Sequence, residues 1–118
     1  MSTISVVSEA LAAALRTVPG VRVWTDLHSP IDPPGVVLGP PALTWSSYTA
    51  DPTTGRFLAY VVVPADGRAL TALWDLVPLV AAAVDTVQDA VVLRADPANF
   101  SGGSADLPAY MIEIEVSL

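Results

Sequence analysis

The single histidine of this chain, His28, lies in the run Asp26-Leu27-His28-Ser29. An acid, an imidazole and a hydroxyl are the parts of a nucleophilic relay. The run has no nucleophile elbow, and residues adjacent in a loop do not take up the mutual geometry of a triad. His28 therefore reads as a solvated loop residue. A metal centre is no better supplied. With one histidine and no cysteine, thiolate sites are excluded and typical zinc centres lack ligands. Asp26, Asp32, Asp51 and Asp96 are spread through loops without calcium-loop spacing, and Asp beside Pro or Gly is a common turn device. A phosphate site needs a glycine-rich turn from a strand into a helix. The turn Pro64-Ala65-Asp66-Gly67-Arg68 has one glycine and an acid that repels phosphate, and Gly102-Gly103 leads into a strand. Glu113 and Glu115 share one face of a strand. Paired carboxylates can do acid–base work, but two residues apart on an exposed face they read as solubilising positions. The expectation is a protein that is not an enzyme, with no catalytic residue, no cofactor and no metal ligand.

The elements that carry these residues follow from periodicity. Ile4, Val7, Leu11, Leu15 and Val18 recur at three- and four-residue steps, predicting a helix over 5–17. Ser5 serves as its cap and Glu9 lies in its first turn. Pro19 and Gly20 stop it. Val21–Thr25 and Val36–Leu38 read as short strands, the second buried and ended by Pro40 and Pro41. Ala42–Tyr48 suits an edge strand, followed by a turn at Asp51–Gly55. Arg56–Pro64 is the strongest central strand. A second helix is predicted from a cap at Asp66 to about Val87, with Leu70, Leu73, Trp74, Val77, Val80, Val84 and Val87 on its buried face and Pro78 kinking it. Ala90–Ala95 is a strand and 96–108 a loop. In the last strand, Tyr110, Ile112, Ile114, Val116 and Leu118 face one way, with Met111, Glu113, Glu115 and Ser117 facing the other. This order predicts an α+β fold: one mostly antiparallel sheet with two helices packed on its apolar face. The opposite face, carrying Glu113 and Glu115, is left to solvent or a partner.

The 118 residues match one domain, 1–118, with core enough to fold without disulfides. Charged residues are only 14% and hydrophobic ones 53%, against roughly 25% charged in ordinary soluble domains. So little charge points to a surface partly covered by partners. Twelve acids oppose five bases, all arginine, for a net charge of −7, which argues against a basic nucleic-acid footprint. Residues 1–15 lack the pattern of a signal peptide, and Leu76–Val84 is too short to span a bilayer. Synthesis in the cytoplasm and no membrane contact are expected.

Four segments together carry a resemblance: Val18-Pro19-Gly20-Val21-Arg22-Val23-Trp24 after an Ala-rich helix; Asp32-Pro33-Pro34-Gly35-Val36-Val37-Leu38-Gly39-Pro40-Pro41; Leu73-Trp74-Asp75-Leu76-Val77; and Leu107-Pro108-Ala109-Tyr110 leading into an alternating strand. In layout, over nearly the whole chain, the sequence resembles the tail-terminator family of long-tailed bacteriophages (siphoviruses), especially those of actinobacterial phages. None of these segments carries chemistry; they are turns, caps and core positions.

The resemblance implies a structural virion protein at the head-proximal end of the tail. Such proteins form a hexameric ring that caps the tail tube and stops its polymerisation. The ring joins the tube to the head-completion or connector protein. DNA passes through the lumen without specific binding. On that reading Glu113 and Glu115 are pore-facing candidates. The loops 42–56 and 96–108 are the candidate contacts, with Trp45, Tyr48, Arg56 and Phe100 as interface residues. For Trp45, Tyr48 and Phe100 the alternative is a small satellite core over the sheet edge. The rival readings are another neck, connector or minor tail protein, and a small ligand-binding domain built around an enclosed pocket.

Overall fold

The computed structural model describes residues 3–26, 31–46, 50–101 and 106–118. Eight elements follow one another: α1 (Thr3–Leu15), β1 (Arg22–Trp24), β2 (Gly35–Leu38), β3 (Ala42–Thr44), β4 (Thr54–Val62), α2 (Ala69–Val84), β5 (Ala90–Ser101) and β6 (Asp106–Ser117). The fold is α+β. The strands form one sheet in the order β1-β2-β4-β6-β5, with β3 also paired to β4. Only β1 and β2 run parallel. β4 takes the centre, as its run of Phe57, Leu58, Tyr60, Val61 and Val62 predicts.

Strand alternation sorts the side chains onto two faces. On the inner face Val36, Leu38, Phe57, Ala59, Val61, Ile112, Ile114 and Val116 are buried against Leu11 and Leu15 of α1 and Leu73, Val80 and Val84 of α2. Among the described residues no polar or charged side chain is buried. The core is therefore held by apolar burial, worth about 25 cal/mol per Å² removed from water.

Both helices depart from the sequence reading at their ends. α1 starts at Thr3, so Ser5 lies inside it, and its first turn holds no acid. After Leu15 the chain turns through Thr17 and Val18. Gly20 then takes φ +79, the left-handed conformation that glycine adopts without a Cβ penalty. α2 begins later than Asp66. Its cap position is Arg68, without a side-chain cap, while Oδ1 of Asp66 accepts the Arg68 backbone N–H at 2.8 Å and shapes the approaching turn. The helix continues through Pro78. Leu73, Val80 and Val84 are buried as expected, but Leu70 and Trp74 are not.

The segment 96–108, read as a loop, is largely strand. β5 runs to Ser101 and β6 starts at Asp106, and the two pair from Ala90↔Val116 to Ser101↔Asp106. The sequence signs of a loop there, Pro97 and Gly102-Gly103, misled for a physical reason. β5 is the sheet's edge, where a residue without a backbone donor is tolerated. β5 also carries a register shift between Val92 and Arg94. Proline and a bulge are the devices that blunt an open edge.

Candidate protein-interaction surface

The outer face of the sheet divides into a charged half and an apolar half. In the charged half Arg56 of β4 stands opposite Glu115 of β6. Its guanidinium reaches Glu113 at 3.2 Å and Glu115 at 3.3 Å. On β5, Arg94 is in register with Glu113 and binds Asp96 at 2.8 Å. The Arg94 guanidinium is held above its ordinary range, first by its hydrogen bond to Asp96, then by the charges of Asp96 and Glu113. The pore-facing candidates Glu113 and Glu115 therefore sit on the outer face as expected, each half-buried and paired with Arg56.

In the apolar half Val37, Val62 and Ala109 are buried although they belong to the outer face. Trp24 lies across Gly35, whose missing Cβ leaves room for the indole: a Cβ there would stand 2.1 Å from the ring. Phe100 packs on Tyr60, ring centroids 5.3 Å apart. Phe100 thus joins a satellite core, one of the two roles the sequence left open for it.

The other interface candidates lie elsewhere. Trp45 is 50% exposed, its indole N–H donating to the Ala50 carbonyl at 3.3 Å. The turn it stands on is tied by Thr53, whose N–H donates to the Thr44 carbonyl at 2.9 Å and whose Oγ1 accepts the Ser46 N–H at 3.1 Å. Tyr48 falls outside the described residues, as do His28, Ser29, Gly102 and Gly103. Of the loop aspartates, Asp32 pairs with Arg22 and Asp96 with Arg94. No group of three or more His, Asp or Glu that could hold a metal occurs among the described residues.

Among the described residues, two of the clefts open on the helix side. One, of about 510 Å³, lies between α1 and the strand ends, with Ser5, Ser8, Glu9, Thr25 and Asp26 on its polar side and Leu38, Pro40 and Pro41 on its apolar side. Among the described residues its charged lining groups are the carboxylates of Glu9 and Asp26, which disfavour an anionic ligand. The second, of about 290 Å³, is almost wholly apolar. Pro19, Val21, Pro34, Val63, Leu76 and Leu79 line it, and Asp75 is the one charged residue in it among the described residues.

The sequence reading missed the most exposed apolar residues. Trp74 is 56% exposed, Leu70 51% and Leu79 52%, all on α2; Val91 and Leu93 of β5 are exposed as well. Trp74 is anchored, its indole N–H donating to the Tyr110 hydroxyl at 3.0 Å. At about 100° per residue Trp74 lies a quarter-turn from Leu73, with Leu70 beside it, off the stripe that Leu73, Val80 and Val84 form once the helix is packed on the sheet. The chain exposes 6780 Å², against about 6,100 Å² for a compact monomer of its mass. Its extents of 50 × 27 × 22 Å show the elongation. A surface with anchored aromatics, paired charges and excess area has the makings of a protein-binding surface. No protein-family model matches this sequence, and no curated protein matches it.

Proposed function

We propose that this chain is a structural subunit that works by fitting against other proteins, and that its place is the tail terminator of a long-tailed bacteriophage. In that role about six copies form a ring on the head-proximal end of the tail tube, end its polymerisation, and meet the head-completion or connector protein on the other side. DNA crosses the lumen without specific contacts, and neither catalysis nor a cofactor is required. The observation that supports this best is the exposed, anchored apolar surface of α2 on a chain so poor in charge. A subunit with two lateral neighbours and contacts above and below needs such surfaces, and a ring needs different patches on its two sides. The resemblance of the four sequence segments supports the same reading.

The charged half of the outer face bears on the lumen. Glu113 and Glu115 there share Arg56, and Asp96 pairs with Arg94, which leaves these five groups one negative charge in excess. A lumen lined by this face would be mildly acidic, and DNA would slide past it for lack of free cations rather than through strong repulsion.

The test is a cryo-EM reconstruction of the particle with this chain placed in it. Six copies in a ring between tube and connector are the expected result. Copies along the tube, in the head or at another level of the neck would overturn the terminator reading and favour a neighbouring neck or minor tail protein. Absence from the particle would turn attention to ligand binding in the 510 Å³ cleft.

A further inference from the structure

Of the nine aspartates in the chain, only Asp66 is followed by glycine. Asp32, Asp51 and Asp96 precede proline, which has no backbone N–H. The others precede leucine, threonine or alanine. Asp66 and Gly67 lie in the turn that carries the chain from β4 into α2, and residues 64–68 are all exposed. A Cβ built on Gly67 would meet nothing within 4 Å. Among the described residues the Gly67 N–H donates to no backbone carbonyl. Oδ1 of Asp66 folds forward to accept the Arg68 N–H at 2.8 Å. The ring that this bond closes contains both the Asp66 carboxyl carbon and the Gly67 nitrogen.

We propose that Asp66 is a site of spontaneous isoaspartate formation, a self-modification that loosens the entry to α2. The Gly67 nitrogen attacks the Asp66 carboxyl carbon. An N–C bond forms, the amide proton and a carboxyl hydroxyl leave together as one water, and a succinimide ring results. Water then opens the ring. Attack at the former side-chain carbonyl restores aspartate. Attack at the main-chain carbonyl gives isoaspartate, in which the backbone runs through the former side chain. Water is the only co-reactant. Glycine favours ring closure because it has no side chain to crowd the nitrogen and leaves the backbone free to reach the required conformation. The product keeps one carboxylate, so the charge is unchanged, but the main chain gains a methylene. Two bonds that shape the approach to α2 are lost: the one from Arg68 to Oδ1, and the one from the Ala69 N–H to the Asp66 carbonyl at 3.2 Å. The helix has no side-chain cap to replace them. Val61 to Val63 before the turn and Leu73 after it are buried, which confines the loosening to the turn and the first turn of α2. The proposal does not rest on the terminator reading.

The test holds the full chain at physiological temperature and pH for several weeks. Isoaspartate is read by methyl labelling with an isoaspartyl carboxyl methyltransferase and placed by electron-transfer fragmentation; the succinimide is read as a species lighter by one water. Isoaspartate is expected at Asp66 and at no other aspartate. The native chain is expected to react within about tenfold of the same chain unfolded in urea, a barrier difference below roughly 1.4 kcal/mol. Gly67→Ala, whose methyl group has room, is expected to slow the reaction about tenfold. Asp66→Glu, which would need a larger ring, is expected to give none. Amide exchange in the aged chain is expected to quicken at 68–72 and not in β4. Isoaspartate spread equally over other aspartates, a native rate more than about a hundredfold below the unfolded one, or a Gly67→Ala rate equal to the parent's would overturn the proposal. So would unchanged exchange at 68–72 in chains that carry the isoaspartate.

Discussion

The rings of Tyr60 and Phe100 lie 5.3 Å apart at an interplanar angle of 50°, although the strand register sets them far apart. Tyr60 is opposite Met111, and Met111 is opposite Asp96. Phe100 is four residues further along β5, roughly 13 Å of extended strand. The contact brings two long side chains together across β6, with the twist of the sheet closing the distance. Val37, Val62 and Ala109 are buried on the same side of the sheet, away from the helices.

Phe100→Ala should loosen the β5–β6 hairpin by removing its ring contact with Tyr60. We expect a loss of about 1–2 kcal/mol in urea unfolding, below the roughly 3–5 kcal/mol of a fully buried Phe, because Phe100 is half-buried. Amide exchange should quicken in 96–101 and 106–109 while β4 stays protected. Uniform exchange across the sheet would show that the hairpin and sheet open as one unit.

Gly35 is the tightest point in the chain. A methyl group there would stand 2.1 Å from the Trp24 ring and 2.7 Å from the Arg22 carbonyl oxygen. Gly35→Ala should cost about 2–3 kcal/mol by overpacking. Adding Trp24→Ala should recover only part of that, because the carbonyl of β1 remains in the way. Chemical denaturation of the single and double variants measures both numbers.

Arg56 pairs with two carboxylates at the surface. Arg56→Gln should lower stability by less than about 1 kcal/mol at low salt. The difference should shrink further in about 1 M salt, where the screening length falls to roughly 3 Å. A loss of several kcal/mol, or one that ignores salt, would mean that the arginine stem packs more than its charge contributes.

Asp89 holds φ at 64, while its carbonyl accepts the Ser117 N–H at 3.1 Å. Asp89→Gly should raise stability by a few tenths to about 1 kcal/mol, since the left-handed region costs an L residue roughly 1–2 kcal/mol and glycine's greater unfolded freedom offsets part of the gain. Asp89→Val should lower it, having no side-chain oxygen to ease that conformation. Melting temperatures of the two variants should move in opposite directions from the parent.

Much of the fold was legible because its strongest signals are local. The alternation of Ile112, Ile114 and Val116 against Glu113 and Glu115 set both the strand and its two faces. The run from Phe57 to Val62 marked the centre of the sheet. The hairpin was not legible, because its backbone is held by pairing across the turn and by the Tyr60–Phe100 contact, while its own residues include Pro97 and two glycines. The exposed apolar surface of α2 was missed for a different reason. Leu70 and Trp74 match the hydrophobic pattern of α2 and were assigned to the core by residue type, but the phase of the helix on the sheet puts them outside it. Phase depends on where Val80 and Val84 find room against β4 and β6, a tertiary property that a single helix does not encode. The charge pairing of Arg56 was hidden likewise: its partners are 57 and 59 positions away along the chain.

The bulge at Val92/Arg94 and the proline at 97 divide the open side of β5 into segments of three or four residues. A foreign strand laid along it finds too few consecutive donors and acceptors to zip up. Such an edge does not seed endless sheet stacking, even when the chain is crowded with copies of itself. Recognition is thereby handed from the backbone, which is the same in every protein, to side chains, which are not. A surface whose character rests on a few replaceable residues such as Trp74 can be retuned one position at a time without touching the fold.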